Sequence, residues 1–279
     1  MIKLSMHTMA TPALTIDQSI ELAGKLGFDA IEIVSDERYA CGITNATPDG
    51  ELKRLGALAA SNGIEVVGMV PYFQGINSLD ANERRASIDG MKRAVDAAVA
   101  LTAGAVRIYA GKEATAETFR AQFDHMVASI QAIDAHAAGK VRLNVENHNG
   151  TMALSGRLTR DIVDAGNSDN VGIIYDPANL WRLGQTNLAA EYDVQRDKIR
   201  HVHFKDAVAN YDGSKPPVPA GTGMVPWADV IAALVADGYD GAITVEYEKR
   251  WHPQRLPDPE IGLPNELKFI RGCIERAKK

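Results

Sequence analysis

Eight short apolar segments, each followed by a longer amphipathic segment, run through the 279 residues and predict a (β/α)8 barrel. Strand followed by helix, repeated in this way, indicates parallel strands joined by crossover helices. Eight such units in a chain of this length favour a closed barrel over an open sheet. No linker rich in Pro, Gly or Ser divides the chain, so residues 1–279 are expected to form one α/β domain, a TIM barrel.

The predicted elements follow in a regular order along the chain. The strands are predicted at 2–7, 29–34, 64–70, 104–109, 141–147, 171–176, 200–205 and 241–247. The helices are predicted at 15–26, 48–61, 82–102, 114–138, 156–166, 187–196, 226–237 and 262–277. Thr15 and Gln18 have the spacing of a capping box at the first helix start. A left-handed residue at a helix C-terminus, just before a strand, is predicted at Gly27, Gly63, Gly104, Gly139 and Gly241.

The composition of the chain restricts which class of protein it can be and which partners it can have. Apolar residues make up 46% of the chain and charged residues 24%, as is typical of a soluble globular protein. With 36 acidic residues against 30 basic ones, the formal charge of −6 argues against a nucleic-acid partner. No stretch approaches the roughly 20 apolar residues of a membrane span, and the N-terminus does not resemble a signal peptide. Cys41 and Cys273 have no metal or redox spacing, which favours a reduced, cytoplasmic protein.

Polar residues end four successive strands in the second half of the chain. They are Glu146, Asp176, His203 and Glu246. Because strand side chains alternate between faces, each points away from apolar neighbours that are expected to pack under the helices. Carboxylates that converge at a barrel mouth repel one another unless they are protonated, paired or bound to a cation, and a divalent metal ion is the simplest resolution. The alternative is separate salt bridges with partners such as Lys205 and Arg107. Three carboxylates with one imidazole favour Mn²⁺, with Mg²⁺, Co²⁺ and Zn²⁺ as further candidates.

Several motifs along the chain are similar to those of a known superfamily. They are Asn144-Val145-Glu146-Asn147, Tyr175-Asp176-Pro177-Ala178-Asn179, His201-Val202-His203-Phe204-Lys205-Asp206, Gly221-Thr222-Gly223 with Pro226-Trp227, and Thr244-Val245-Glu246. Over nearly its whole length the chain resembles the xylose isomerase-like (β/α)8 superfamily of sugar phosphate isomerases and epimerases, which also includes endonuclease IV-like enzymes. The resemblance implies that Glu146, Asp176, His203 and Glu246 hold one divalent metal ion. It also implies that the two glutamates serve as acid and base.

Two departures from the family pattern bear on the activity that the resemblance implies. Asn179 stands where many members have a His, which lies near the substrate in ketose epimerases. The third strand ends at Val70 and Pro71 without the His that the nuclease branch uses for additional metal ions, so DNA repair is not expected. The first departure weakens a standard epimerase assignment and keeps a lyase in consideration.

Proton transfer beside a carbonyl is the chemistry that the site predicts. A metal ion held by carboxylates can stabilise the negative charge that appears when the proton leaves, giving an enediolate-like intermediate. The leading interpretation is an isomerase or epimerase of a small carbohydrate or keto-sugar. The alternative is a dehydratase, decarboxylase or other lyase acting on an oxo-sugar or oxo-sugar acid. A third interpretation is a sugar-binding barrel without catalytic activity.

Further residues are predicted around the cluster. His148 joins Glu146 and Glu246 as an acid or base candidate, because it shares their inward face and a neutral imidazole is a good base near neutral pH. If His148 is the base, the lyase alternative gains support. Lys205 and Asp206 are expected to orient the neighbouring His203. Substrate contacts are predicted for His7, Glu32, Arg107, Asn179, Trp181, Lys205, Glu248 and Trp251.

Four connections are longer than the fold requires. Those at 35–47, 71–81 and 207–225 each follow a strand, on the side of a barrel that carries the active site. The stretch 249–263 is long for the last connection of a barrel. It is predicted to fold over the mouth as a lid or to form the interface of a homo-oligomer.

Overall fold

The computed structural model describes residues 1–279 and contains a closed barrel of eight parallel strands. In chain order the barrel strands are β1 (Lys3–His7), β2 (Ala30–Ser35), β3 (Glu65–Pro71), β4 (Ala105–Tyr109), β5 (Arg142–Glu146), β6 (Val171–Tyr175), β7 (Ile199–Phe204) and β10 (Ala242–Val245). Each strand pairs with the next in this order, and β10 closes the ring onto β1. A small antiparallel hairpin of β8 (Asp206–Ala207) and β9 (Pro217–Val218) follows β7. The predicted TIM barrel is therefore confirmed.

Nine α-helices connect and follow the strands. They are α1 (Ile16–Leu26), α2 (Asp49–Ser61), α3 (Ala81–Leu101), α4 (Phe119–Ala137), α5 (Gly156–Gly166), α6 (Pro177–Arg182), α7 (Leu188–Asp193), α8 (Trp227–Ala236) and α9 (Pro259–Ala277). The short helix α6 is not predicted from the sequence; it forms because Asp176 caps it by accepting the N–H of Asn179, with Pro177 in its first turn. None of the helices is both long and apolar enough to cross a membrane.

Helix boundaries follow the predictions with some exceptions. Thr15 and Gln18 form the predicted capping box at α1. Gly104 and Gly241, however, lack the left-handed backbone that was predicted for them. A Cβ at Gly241 would lie 2.7 Å from the carbonyl oxygen of Arg200, so glycine is required there by the close approach of the neighbouring backbone. The last helix also starts at Pro259 rather than at 262, so the final residues of the predicted 249–263 segment are helical.

The main apolar core lies between the barrel strands and the helices. On β7, the outward ring of Phe204 lies 4.2 Å from the ring of Trp227 at the start of α8. The indole of Trp227 also donates a hydrogen bond of 2.9 Å to the carbonyl oxygen of Lys205, at the end of the same strand. The alternate residues His201 and His203 point into the barrel. Packing on one face of the strand therefore positions polar side chains on the other.

Two buried carboxylates hold the connection after β7. Asp206 accepts hydrogen bonds of 2.9–3.3 Å from the backbone N–H groups of Ala207, Gly221, Gly223 and Val225. Glu266 on α9 accepts the N–H of Ala220 at 3.0 Å. The tip of the hairpin, residues 209–214, is exposed, and next to it Lys215 donates to the carbonyl oxygen of Arg182 at 2.8 Å. The second half of this connection is thus fixed to the barrel, whereas the tip is not.

Candidate metal centre

Four polar side chains converge at the carboxyl ends of neighbouring strands. Glu146 is the last residue of β5, Asp176 follows β6, His203 lies in β7 and Glu246 follows β10. One ligand atom from each side chain lies within 4.8 Å of the others, and all four residues are buried. The structure therefore brings together the complete set of metal-ligating residues that the sequence predicts.

Asn147 holds two of these strand ends together, although strand parity alone would place its side chain on the face opposite to Glu146. Its amide nitrogen donates to the carbonyl oxygen of Asp176 at 2.7 Å, and its amide oxygen accepts the N–H of Asp176 at 3.0 Å. Its own carbonyl oxygen accepts a hydrogen bond of 3.2 Å from the side chain of Asn179. An amide next to a strand-end acid, able to donate and accept at once, is the sequence signal that could have indicated this role.

Two buried cations lie against the carboxylates. The ammonium of Lys205 lies 2.6 Å from Asp176 Oδ2 and also pairs with Glu246. The guanidinium of Arg107 donates to Glu146 Oε2 at 2.8 Å and to the carbonyl oxygen of Pro71 at 2.9 Å. Both cations offset negative charge that the barrel interior could not otherwise accommodate.

The guanidinium of Arg107 also lies against two neighbouring aromatic rings. Its central carbon lies 4.4 Å from the ring centre of Tyr72 and 4.6 Å from that of Tyr109, and the two ring centres are 6.0 Å apart. These cation–π contacts add to the hydrogen bonds in holding the side chain in place.

The imidazole of His203 is surrounded by carboxylates. Its Nε2 lies 2.9 Å from Glu32 Oε2, and its Nδ1 lies 3.0 Å from Glu146 Oε1 and 3.4 Å from Glu246 Oε1. Burial disfavours the charged imidazole, but these three carboxylates outweigh it and raise the pKa of His203 well above its usual value. At His201, by contrast, burial outweighs the attraction of the neighbouring carboxylates and lowers the pKa to about 4.

The residues present fit a divalent cation. Asp176 Oδ2 is buried and has no partner other than the ammonium of Lys205, with which it forms an ion pair of 2.6 Å. Carboxylate oxygens with one imidazole nitrogen are donors that Mn²⁺, Mg²⁺ and Zn²⁺ accept, and a cation would relieve the repulsion between the acids. The buried Glu, Asp and His cluster is thus consistent with a divalent metal site.

The remaining predicted site residues lie around this cluster. His148, in the connection after β5, has its Nδ1 2.9 Å from the hydroxyl of Tyr109. Glu248 forms a bidentate ion pair with Arg182, at 2.9 and 3.1 Å.

The two predicted tryptophans and His7 have other surroundings. Trp251 is 54% exposed and edge-on to Tyr39, and the ammonium of Lys215 lies over the ring of Trp181. His7 is buried, with its Nδ1 accepting the N–H of Met9 and its Nε2 without a partner. Their contacts with a substrate stay predictions.

Fold and cluster together define a (β/α)8-barrel protein with a buried carboxylate–imidazole site of the kind that holds a divalent metal ion. Residues 20–273 match the family described as Xylose isomerase-like TIM barrel, and the chain belongs to this family. The resemblance that the motifs indicate is thereby confirmed. No curated protein sequence matches the chain.

Solved structures with the same fold cover nearly the whole chain. An L-ribulose 3-epimerase is 20% identical, with 100% of this chain and 96% of that chain covered and a TM-score of 0.81. The IOLI protein with a bound zinc atom is 18% identical, with 99% of each chain covered and a TM-score of 0.82. The probable 3-DHS dehydratase AsbF from Bacillus anthracis is 16% identical, with 97% of this chain and 99% of that chain covered and a TM-score of 0.75. At these identities the likeness shows the fold alone.

Proposed function

We propose that the chain is a divalent-metal-dependent isomerase or epimerase of a small carbohydrate or keto-sugar. The observation that carries this proposal is the buried cluster of Glu146, Asp176, His203 and Glu246 at the carboxyl ends of the strands, where barrel enzymes have their active sites. The epimerases among the similar folds, which include a D-psicose 3-epimerase in the presence of D-fructose, support a sugar as the substrate. We also propose a cytoplasmic location, in keeping with the free thiols of Cys41 and Cys273.

The four residues of the cluster would hold the metal ion, and we favour Mn²⁺ because three of the four donors are carboxylates. Zn²⁺, Mg²⁺ and Co²⁺ are alternatives. When bound, such an ion stabilises the negative charge that develops on oxygen as a proton leaves the carbon beside a carbonyl.

Glu146 and Glu246 are the proposed acid and base. Burial opposes ionisation of Glu246, but Lys205 and His203 outweigh it and hold the pKa of Glu246 below its usual range. Arg107 and His203 likewise outweigh burial at Glu146 and lower its pKa. Both carboxylates are therefore ionised at neutral pH, which is the state in which a carboxylate accepts a proton. Epimerisation requires that one glutamate takes the proton as a carboxylate and that the other delivers a different proton to the opposite face of the substrate, so the second glutamate must first take up a proton from water or from a substrate hydroxyl.

A lyase is the second candidate, and the pair of His148 and Tyr109 favours it. The hydroxyl of Tyr109 lies 2.9 Å from His148 Nδ1 and 3.3 Å from Nε2, and Nδ1 also lies 2.6 Å from the carbonyl oxygen of Asn149. Because a carbonyl oxygen can only accept, Nδ1 carries the hydrogen and Nε2 is the nitrogen that can take up a proton, so His148 and Tyr109 form a second acid–base couple outside the four-residue cluster. Such a couple could protonate a leaving group while a glutamate removes the proton beside the carbonyl. Asn179, in place of the His of many family members, weakens the epimerase assignment further.

One experiment separates these functions. Protein stripped with a chelator and restored with Mn²⁺ is incubated in D₂O with ketoses, aldoses, cyclitols and oxo-sugars, and followed by proton NMR. Deuterium uptake with a new sugar isomer supports the isomerase or epimerase, and deuterium uptake with loss of water or carbon dioxide supports the lyase. E246Q should abolish the exchange, and H148N should slow product formation only in a lyase, where His148 and Tyr109 protonate the leaving group. Metal binding without any exchange would contradict both and favour a sugar-binding barrel.

A further inference from the structure

Glu32 reaches the cluster from the opposite side of the barrel. It lies on β2, faces inward and is only 2% exposed. Its Oε2 lies 2.9 Å from Nε2 of His203, which is a hydrogen-bond distance. Glu32 is not one of the four residues at the carboxyl ends of β5, β6, β7 and β10, so it contacts the cluster only through this imidazole.

Two features of the neighbouring strands make room for the carboxylate of Glu32. The pairing of β2 with β3 shifts register between Ile31 and Glu32, and the residue paired with Glu32 is Gly68. A Cβ at Gly68 would lie 2.8 Å from Oε1 and 3.2 Å from Cγ of Glu32. Any larger residue at this position would therefore push the carboxylate away from where it now lies.

The orientation of the His203 ring follows from these contacts. Nε2 faces Glu32, whereas Nδ1 faces Glu146 Oε1 at 3.0 Å and Glu246 Oε1 at 3.4 Å. A histidine that binds a metal ion commonly donates its other ring N–H to a carboxylate, which fixes both the tautomer and the ring orientation. We propose that Glu32 is the positioning residue of the metal site: it holds the Nε2–H of His203 and leaves Nδ1 as the metal-binding nitrogen. This inference rests on the proposed metal site.

A second metal site is the competing explanation, since Glu32, His201 and His203 also have ligand atoms close together. The individual distances favour the positioning role. Nε2 of His201 lies 2.7 Å from the hydroxyl of Thr244 but 3.5 Å from Glu32 Oε1. Nε2 of His203 is already in a hydrogen bond with Glu32, so all three residues of this group already have protein partners.

Metal affinity measured without substrate tests the inference independently of activity. Chelator-stripped wild type, E32Q and E266Q are titrated with Co²⁺ and followed by visible absorption. The control E266Q removes another buried carboxylate, one that contacts the backbone of Ala220 instead of His203. The wild type should bind one equivalent, E32Q should bind about 10–100-fold more weakly, and E266Q should match the wild type.

The other outcomes are equally decisive. Equal Co²⁺ affinity in E32Q and the wild type would overturn the positioning role and leave the proposed function intact. Two equivalents in the wild type, with only the second lost in E32Q, would also overturn it and assign Glu32 to a second site. No binding by the wild type would overturn the proposed function itself. G68A offers a second variant, because it displaces the carboxylate of Glu32 without removing it and should weaken Co²⁺ binding as well.

A spectroscopic measurement on the wild type does not depend on how the variants fold. Protein labelled with ¹⁵N-histidine is studied by long-range ¹H–¹⁵N NMR before and after Zn²⁺ is added, and the signals of His203 are identified as those of the ring that gains a metal-shifted nitrogen. Protonated Nε2 and metal-shifted Nδ1 are expected. Protonated Nδ1, with the metal shift on Nε2, would overturn the inference.

Discussion

Replacement of Lys205 by Met tests whether this buried cation balances the charge of the cluster. The ammonium is buried, lies 2.6 Å from Asp176 Oδ2, pairs with Glu246 and has Glu248 Oε1 at 3.9 Å. Met has a similar length and volume but no charge, so K205M keeps the packing and leaves the carboxylates without their nearest cation. The expected result is a large loss of stability in the metal-free protein.

The magnitude follows from the burial of the pair. Removal of one partner from a buried ion pair costs about 3–5 kcal/mol, because the remaining charge stays buried without compensation. In a domain of this size each kcal/mol lowers the melting temperature by about 2–4 °C, so K205M should melt roughly 10 °C below the wild type in the presence of a chelator. Mn²⁺ should stabilise K205M more than the wild type, because the ion replaces part of the lost positive charge.

Thermal unfolding followed by circular dichroism, with chelator and with Mn²⁺, measures both effects. K3M is the matched control: Lys3 pairs with Glu65 at 2.5 Å, but both side chains are about half exposed, at 44% and 52%. An exposed pair of this kind contributes about 0–1 kcal/mol, so K3M should melt close to the wild type. If K205M melts as K3M does in the chelator, Lys205 does not compensate the carboxylates and the electrostatic argument fails.

Three further predictions concern other parts of the molecule. D176N should abolish the rise in melting temperature that Mn²⁺ gives the wild type, since it removes a carboxylate from the four-residue cluster; an undiminished rise would exclude Asp176 as a ligand. N147A removes both side-chain hydrogen bonds to the backbone of Asp176 and should weaken Co²⁺ binding about tenfold, as measured by titration; unchanged affinity would show that Asp176 is positioned by other contacts. Burial raises the pKa of Glu266 from 4.5 to about 7, so its contribution to stability is present below pH 4.5 and is lost as the pH rises through 7. Between pH 5 and 8 the wild type should therefore lose roughly 2 kcal/mol of urea-unfolding free energy relative to E266Q, and parallel pH profiles would contradict this.

Strand alternation is enough to predict most of the cluster. Glu146 and His203 lie within regular strands, so the apolar residues beside them fix the face to which they point. Glu246 lies one residue beyond β10 and still continues its alternation, because its N–H donates to the carbonyl oxygen of Phe204 at 2.9 Å. The carboxyl ends of parallel strands meet at one side of a barrel, and the three side chains converge there.

The alternation of side chains between the two faces stops where a strand ends, so the sequence predicts side-chain direction less well there. Strand β5 ends at Glu146, so Asn147 does not point outward as its parity suggests but reaches across to Asp176. The contact between Glu32 and His203 joins residues 171 positions apart. Periodicity shows that both point inward, but it does not show which inward residues meet. Lys205 and Asp206 were predicted to orient His203; the structure shows Lys205 with the carboxylates and Asp206 with the backbone of residues 207–225.

The way in which Asp206 and Glu266 hold the connection after β7 has a consequence for how this barrel could acquire new substrates. The backbone N–H groups of Gly221 and Gly223 donate to Asp206, which lies just after the strand that carries His203, and that of Ala220 donates to Glu266 on α9. A Cβ at Gly223 would also clash with the carboxylate of Asp206, so changes in this part of the connection would disturb the metal site as well. The hairpin tip at 209–214 is exposed and makes no such hydrogen bonds to Asp206 or Glu266. It lies next to Lys215, whose ammonium donates to the carbonyl oxygen of Arg182 in α6. Insertions and substitutions in this tip can therefore reshape the wall of the mouth while the chemistry below stays intact, which makes it the natural region to randomise in directed evolution.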